Sequence, residues 1–371
     1  MATHFRVAAA LALSALFITA CAHSSNTVPA VQTGSPQSTI ATNAAGGTFV
    51  RFPLPESNDY SNDLANGPYS TLWMTVLPGG TSVIQFLKSS GAVRQYFYPM
   101  QETVGAYSLI STANAVFGIV EENFRTADLI RITSTGAIST VKRSFVSESG
   151  YFSNLVVGPD GRVWFAACFP FNGSVNANCA GGSRLVSISP SGVWGPSASL
   201  DSFKALQITP GPGGNLYLSG IQGPNFNTTS VWVVSANGTI LHKYPLANTT
   251  HSPAGIVTGS DHNLWITEPA LNKIARMTPA GVVTQFNIPT ANSGLARITY
   301  GADGALWFTE SLANKIGRIT TSGVITAHAI PPIPGELPSP EGIVVCSTAA
   351  CPPHGGVWFT ETGFIGKFIA P

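Results

Sequence analysis

Internal repetition constrains this chain more than any other feature. The segment Gly255-Ile256-Val257-Thr258-Gly259-Ser260-Asp261-His262-Asn263-Leu264-Trp265-Ile266-Thr267-Glu268 is followed by Asn272-Lys273-Ile274-Ala275-Arg276-Met277-Thr278 and by Gly281-Val282-Val283-Thr284-Gln285-Phe286. The pattern returns as Arg297-Ile298-Thr299-Tyr300-Gly301-Ala302-Asp303-Gly304-Ala305-Leu306-Trp307-Phe308-Thr309-Glu310, then Asn314-Lys315-Ile316-Gly317-Arg318-Ile319-Thr320 and Gly323-Val324-Ile325-Thr326. Each unit reads as four short strands separated by glycine-containing turns. A period of this length means a repeat architecture whose units bury their apolar faces only against one another. Two-residue alternation in Lys315 to Thr320 disfavours a helical repeat.

The aromatic of the second strand is found seven times, at Trp73, Phe117, Trp164, Tyr217, Trp265, Trp307 and Trp358. Successive gaps are 44, 47, 53, 48, 42 and 51 residues by subtraction, the length of a four-stranded propeller blade. The last unit stops one strand short, at Pro371, and the missing strand stands at the other end. Gly47-Thr48-Phe49-Val50-Arg51-Phe52-Pro53-Leu54-Pro55 matches Gly281 to Pro289. The expected fold is therefore all-β, a seven-bladed propeller over 47–371 whose N-terminal strand closes the last blade and removes its free edge. Composition agrees. Only 9% of residues are charged, with 38 Gly and 27 Pro, which suits strands and turns better than solvent-facing helices. A net charge of +1 without a Lys/Arg cluster excludes a polyanion-binding surface, so no nucleic-acid partner is expected. A single-chain monomer suffices for such a ring.

The N-terminus points to export. Residues 1–20 carry Arg6 and then an apolar run, Val7 to Ala20, too short to span a bilayer but suited to a signal peptide. The run ends in Ile18-Thr19-Ala20-Cys21, which resembles the lipobox of bacterial lipoproteins. That resemblance implies lipidation of Cys21, attachment to a membrane and, with Ala22 following, the outer membrane of the cell envelope. Residues 21–46 then read as a flexible tether rich in small and polar residues. Four cysteines remain, and an even number in an exported chain reads as disulfides. Cys168–Cys179 and Cys346–Cys351 is the simplest pairing, a metal site with His354 the alternative.

The units around Trp265 and Trp307, with their Leu-Trp-(Ile/Phe)-Thr-Glu and Asn-Lys-Ile strands, closely resemble the blades of the virginiamycin B lyase, or streptogramin lyase, family. The match is specific over 254 to 331, fair over 340 to 368, and elsewhere rests on period and anchors. The resemblance implies a seven-bladed ring and Mg²⁺-dependent elimination across an ester in a cyclic depsipeptide antibiotic. Such chemistry needs a base for a carbon-bound proton and a cation for the developing charge. The family's base is a His in a Glu-Pro-His-Gly-Ile stretch. Here that stretch is Ser339-Pro340-Glu341-Gly342-Ile343, with Glu341 in place of the His and Ser339 in place of the Glu. The family's second metal-associated Glu has a counterpart in Glu361. A substrate-contacting His of the preceding blade falls at Ala296, and Gly67-Pro68-Tyr69 is similar to an early family motif.

Repetition separates architecture from function, because one site needs its groups once. Glu268, Glu310 and Glu361 recur, as do Asn272 and Asn314, and Lys273, Lys315 and Lys367 are read as a further recurring set. These are expected to satisfy turns and pair between blades, and the tryptophans to pack there. Glu341 and Arg297, at the start of innermost strands, are the candidate ligand-binding pair, Arg297 being taken as analogous to Glu341, with Tyr69 beside them. His251, His262 and His354 and the Glu121, Glu122, Arg125 cluster are expected to be solvated. No nucleophile elbow, phosphate loop or zinc signature is present. The expectation is a ligand- or protein-binding propeller. The alternatives are a metal-assisted carbon–oxygen lyase with Glu341 as base and Glu361 placing Mg²⁺, or a structural envelope protein.

Overall fold

A computed structural model describes residues 31–34, 38–43, 46–55, 63–68, 70–75, 82–88, 90–97, 105–121, 126–146, 152–167, 183–223, 228–246, 251–333, 339–345 and 356–371. Seven antiparallel sheets form a ring. Blade 1 contains Leu64–Gly67, Thr71–Thr75, Ser82–Leu87 and Val93–Phe97. Blade 5 runs Gly255–Thr258, Leu264–Glu268, Lys273–Met277 and Val283–Asn287, and blade 6 runs Leu295–Tyr300, Leu306–Glu310, Lys315–Ile319 and Ile325–Ala329. Blades 2 to 4 follow the same meander over 105–146, 156–199 and 203–245. Innermost strands touch in cyclic order, and Ile343–Val345 of blade 7 meets Leu64–Gly67 of blade 1.

Blade 7 is completed from the far end of the chain. Thr48–Pro53 pairs antiparallel with Phe364–Ile369, and Arg51 lies opposite Gly366 as Gln285 lies opposite Ala275 in blade 5. Two further strands lie inside the segment expected to be a tether. Thr39–Thr42 pairs with Thr48–Pro53 as a fifth strand of blade 7, and Val31–Gly34 pairs with Val93–Phe97 as a fifth strand of blade 1. The reason is the open edge: an outermost strand offers an unpaired row of backbone groups that even a polar extended segment can satisfy.

The core is divided rather than central. Seven apolar clusters each fill the gap between two consecutive blades, the cluster of Trp265, Ile274, Leu295, Leu306 and Phe308 between blades 5 and 6 being typical. Each of the seven anchor aromatics is buried in the cluster shared with the following blade. Trp164, Trp265 and Trp307 donate their indole N–H to the turn aspartates Asp160, Asp261 and Asp303 at 2.9–3.2 Å. One turn residue thus fixes both the hairpin and the ring of the tryptophan. A cation covers three of these rings: Arg276 over Trp265, Arg318 over Trp307 and Lys367 over Trp358. Strand register therefore corrects one equivalence. Lys367, opposite Trp358, belongs with Arg276 and Arg318, and Phe364 takes the place of Lys273 and Lys315.

Candidate functional site

Three charged residues stand near the start of the innermost strands of blades 6, 7 and 1: Arg297, Glu341 and Asp63. The register equates Ile256, Ile298 and Ile343, so Glu341 corresponds to Ala254 and Ala296, while Arg297 corresponds to Gly255 and Gly342. Arg297 is thus one residue further along its strand than Glu341, a correction to the sequence equivalence. Matching hydrogen bonds confirm the register: Arg297 and Gly342 each donate their backbone N–H to a threonine hydroxyl, Thr309 at 3.1 Å and Thr360 at 2.9 Å.

Arg297 reaches back to the neighbouring blade, donating from Nη1 to the carbonyl of Ala254 in blade 5 at 3.2 Å. Its charge also acts on Glu341 of blade 7 and Asp63 of blade 1. Burial pushes the Glu341 carboxyl above the ordinary carboxylate range, and Arg297 pulls it partly back. Asp63 is likewise raised by burial, against the opposing pull of Arg297, the Leu109 N–H, the Ser108 hydroxyl and the Leu64 N–H. Both carboxyls are thus held above their ordinary range by burial, with the Arg297 guanidinium opposing.

Arg297 and Glu341 stand near enough for the guanidinium charge to act on the carboxyl. Asp63 was missed, although the signal was available. It stands ten residues before Trp73, as Arg297 stands ten before Trp307. Tyr69, Cys21, Cys168, Cys179, Cys346, Cys351, His354, Glu122 and Arg125 lie outside the described residues.

Side-chain-to-backbone hydrogen bonds cross every blade junction, those of Thr258 and Asn66 toward the far ends of the innermost strands and the others near the mouth. Asp63 accepts from Leu109 N–H at 2.6 Å, Ser108 from Leu155 N–H at 2.8 Å, and Asn154 from Ile208 N–H at 2.6 Å. Thr258 donates to the Pro210 carbonyl at 2.7 Å, Thr267 to Ala296 at 2.9 Å, Thr309 to Glu341 at 2.9 Å and Asn66 to Val345 at 2.9 Å. The main chain of Glu341 is therefore tied to blade 6 and leaves its side chain as the variable part.

Outside the mouth, the recurring glutamates end the second strands of blades 5 to 7 and are all buried. Their partners differ because the fourth strand differs. In blade 5 the Gln285 amide donates to Glu268 at 2.7 Å. In blade 7 the Arg51 Nε lies 3.2 and 3.1 Å from the two oxygens of Glu361, and its Nη2 donates to the Pro331 carbonyl at 2.6 Å. In blade 6 the equivalent residue is Ala327, and neither oxygen of Glu310 has a hydrogen-bond partner. Burial raises Glu310, with Thr290 and Lys315 opposing.

These contacts decide how well the residues suit Mg²⁺. Glu361 is engaged by a guanidinium, with both side chains buried, and Ser339 offers a hydroxyl where a second carboxylate is needed. Among the described residues no group of three His, Cys, Asp or Glu could hold a metal. The donor set does not fit a divalent cation.

Comparisons agree with the resemblance seen in the repeats. The model of the Virginiamycin B lyase family matches residues 196–369, just under half of the chain. A catalytically inactive virginiamycin B lyase from Staphylococcus aureus, solved with quinupristin, is 26% identical with a TM-score of 0.68. That match covers 87% of this chain and 99% of that one. A streptogramin B lyase structure, 24% identical with a TM-score of 0.69 over 88% and 98% of the two chains, shares the fold. No curated protein matches. The chain is a virginiamycin B lyase-like β-propeller.

Proposed function

We propose that the protein is an exported, lipid-anchored propeller that binds a small polar ligand at the channel mouth formed by Arg297, Glu341 and Asp63. One observation carries this reading: the last two blades and the first, from opposite ends of the chain, each carry a charged group at the same mouth, and burial raises both of its carboxyls. A guanidinium beside carboxyl groups suits a ligand that itself carries both an acceptor and a donor, such as a peptide terminus. Ligand-observed NMR with the free dipeptide Ala-Ala tests it on the whole chain. Binding that disappears in Arg297→Ala and in Glu341→Gln supports the mouth; binding indifferent to both changes defeats it.

Anchoring rests on Cys21. The first strand begins at Val31, ten residues on, which limits the gap from lipid to ring to about 35 Å. Intact-mass analysis of membrane-extracted protein should give the acyl increment with residues 1–20 absent. A soluble Cys21→Ala protein is the matching expectation, and an unmodified wild-type chain would rule out the anchor. Elimination on an ester with Glu341 as base is the weaker reading, because the carboxylate that would place the cation is engaged by Arg51.

A further inference from the structure

The fifth strands on blades 7 and 1 belong to one continuous piece of chain, and that piece touches three consecutive blades. Val31–Gly34 lies on the outer edge of blade 1. Thr39–Thr42 lies on the outer edge of blade 7, with Thr39 opposite Arg51 and Thr42 opposite Thr48. Asn43 then forms a turn in which its N–H donates to the Gly47 carbonyl at 3.0 Å and its side-chain oxygen accepts from Gly47 N–H at 2.9 Å. The same side chain donates to the Ala329 carbonyl of blade 6 at 3.4 Å.

The ring is closed within blade 7 by strand pairing between the two chain ends, where only hydrogen bonds and packing hold Thr48–Pro53 to Phe364–Ile369. Val31–Gly34 and Thr39–Thr42 flank blades 1 and 7 on their outer edges. Ile40 is 70% exposed, so the attachment of Thr39–Thr42 is mainly through the backbone.

We infer that Val31–Gly34 and Thr39–Thr42, with Asn43, form a strap that holds the closing strand pair of the ring. It sets the relative positions of blades 6, 7 and 1, the three that supply Arg297, Glu341 and Asp63. The second half rests on the mouth reading given above; the strap itself does not. Undocking the strap frees the outer edge of Thr48–Pro53 and, through it, the pairing that carries Arg51 onto Glu361. The mouth is reached by the same route, because the Glu341 and Gly342 main chain is paired with Thr360, next to Glu361.

Backbone parity supplies the test. Asn43 N–H faces Gly47, so Ala41, two residues earlier, faces Phe49 with its N–H, while that of Ile40 faces away. Ala41→Pro removes a ladder bond and Ile40→Pro does not. Hydrogen exchange on the full chain reads the result. Ala41→Pro should raise exchange tenfold or more in Thr48–Pro53, Phe364–Ile369 and Val93–Phe97 and at Gly342 and Thr360, with 255–287 unchanged and Ile40→Pro close to wild type. Faster exchange confined to residues 39–48, or equal effects of the two prolines, overturns the strap. If Ala41→Pro does not accumulate as folded protein, Asn43→Ala read the same way decides. No ligand enters the measurement, so a mouth that binds nothing leaves its outcome untouched.

Discussion

Glu268, Glu310 and Glu361 share one position in three successive blades, and their neighbours set what each can do. Removing one partner of a buried ion pair leaves a bare charge, so Arg51→Ala should cost about 3–5 kcal/mol in denaturant unfolding. Replacing Arg51 and Glu361 together by Met should cost much less. Equal losses in the single and double variants would mean that Arg51 acts through packing alone. In blade 6 the missing partner can be supplied. Ala327→Gln places an amide where Gln285 sits in blade 5 and should stabilise by about 1 kcal/mol. A destabilised variant would show the space to be filled already.

The buried carboxyls also fix a pH dependence. Glu310 is raised above its ordinary value of 4.5, first by burial, so the folded state holds its proton more tightly than the unfolded chain. Its contribution is complete below the unfolded value and is lost as pH rises through the folded one. Glu310→Gln should therefore gain stability relative to wild type between pH 4.5 and 7.5. A gap that does not change with pH contradicts this assignment.

At the scale of the strand and turn, the second-strand aromatic and the outer-turn glycine carry the blade-to-blade packing. Trp265 is fully buried between blades 5 and 6, its N–H held by Asp261. Trp265→Ala should cost about 3–5 kcal/mol by thermal or denaturant unfolding. Gly323 has φ +92, and a Cβ there would lie 2.2 Å from the ring of Phe286 in the preceding blade. Both the left-handed backbone and the close approach demand glycine. This level was the most legible in the sequence, because turn glycines and apolar alternation are local signals that repeat. The strap was not legible. Residues 31–43 carry no apolar pattern, and their pairing depends on open sheet edges that exist only once the ring has formed. The inter-blade hydrogen bonds escaped for a related reason: Thr267 and Thr309 look like ordinary strand threonines until the next blade is beside them.

For the whole molecule, seven similar units give one ring with one distinctive sector. Blades 6, 7 and 1 hold the closing seam, the strap and the three charged groups of the mouth. The sector was half visible in the sequence. The displaced last strand and the single-copy residues Arg297 and Glu341 pointed to it. Asp63 was overlooked although it stands ten residues before Trp73, as Arg297 stands ten before Trp307, and Arg51 read as one more strand residue until its partner was known. Glu361 is held by a guanidinium and position 341 carries a carboxyl. These two features favour the proposed binding role over a metal-assisted elimination. Calorimetric titration of the whole protein with Mg²⁺, alone and with a streptogramin B antibiotic, followed by mass analysis, tests this most directly. The account predicts no metal-binding heat and an intact antibiotic; Mg²⁺ binding with a linearised product of unchanged mass would contradict it.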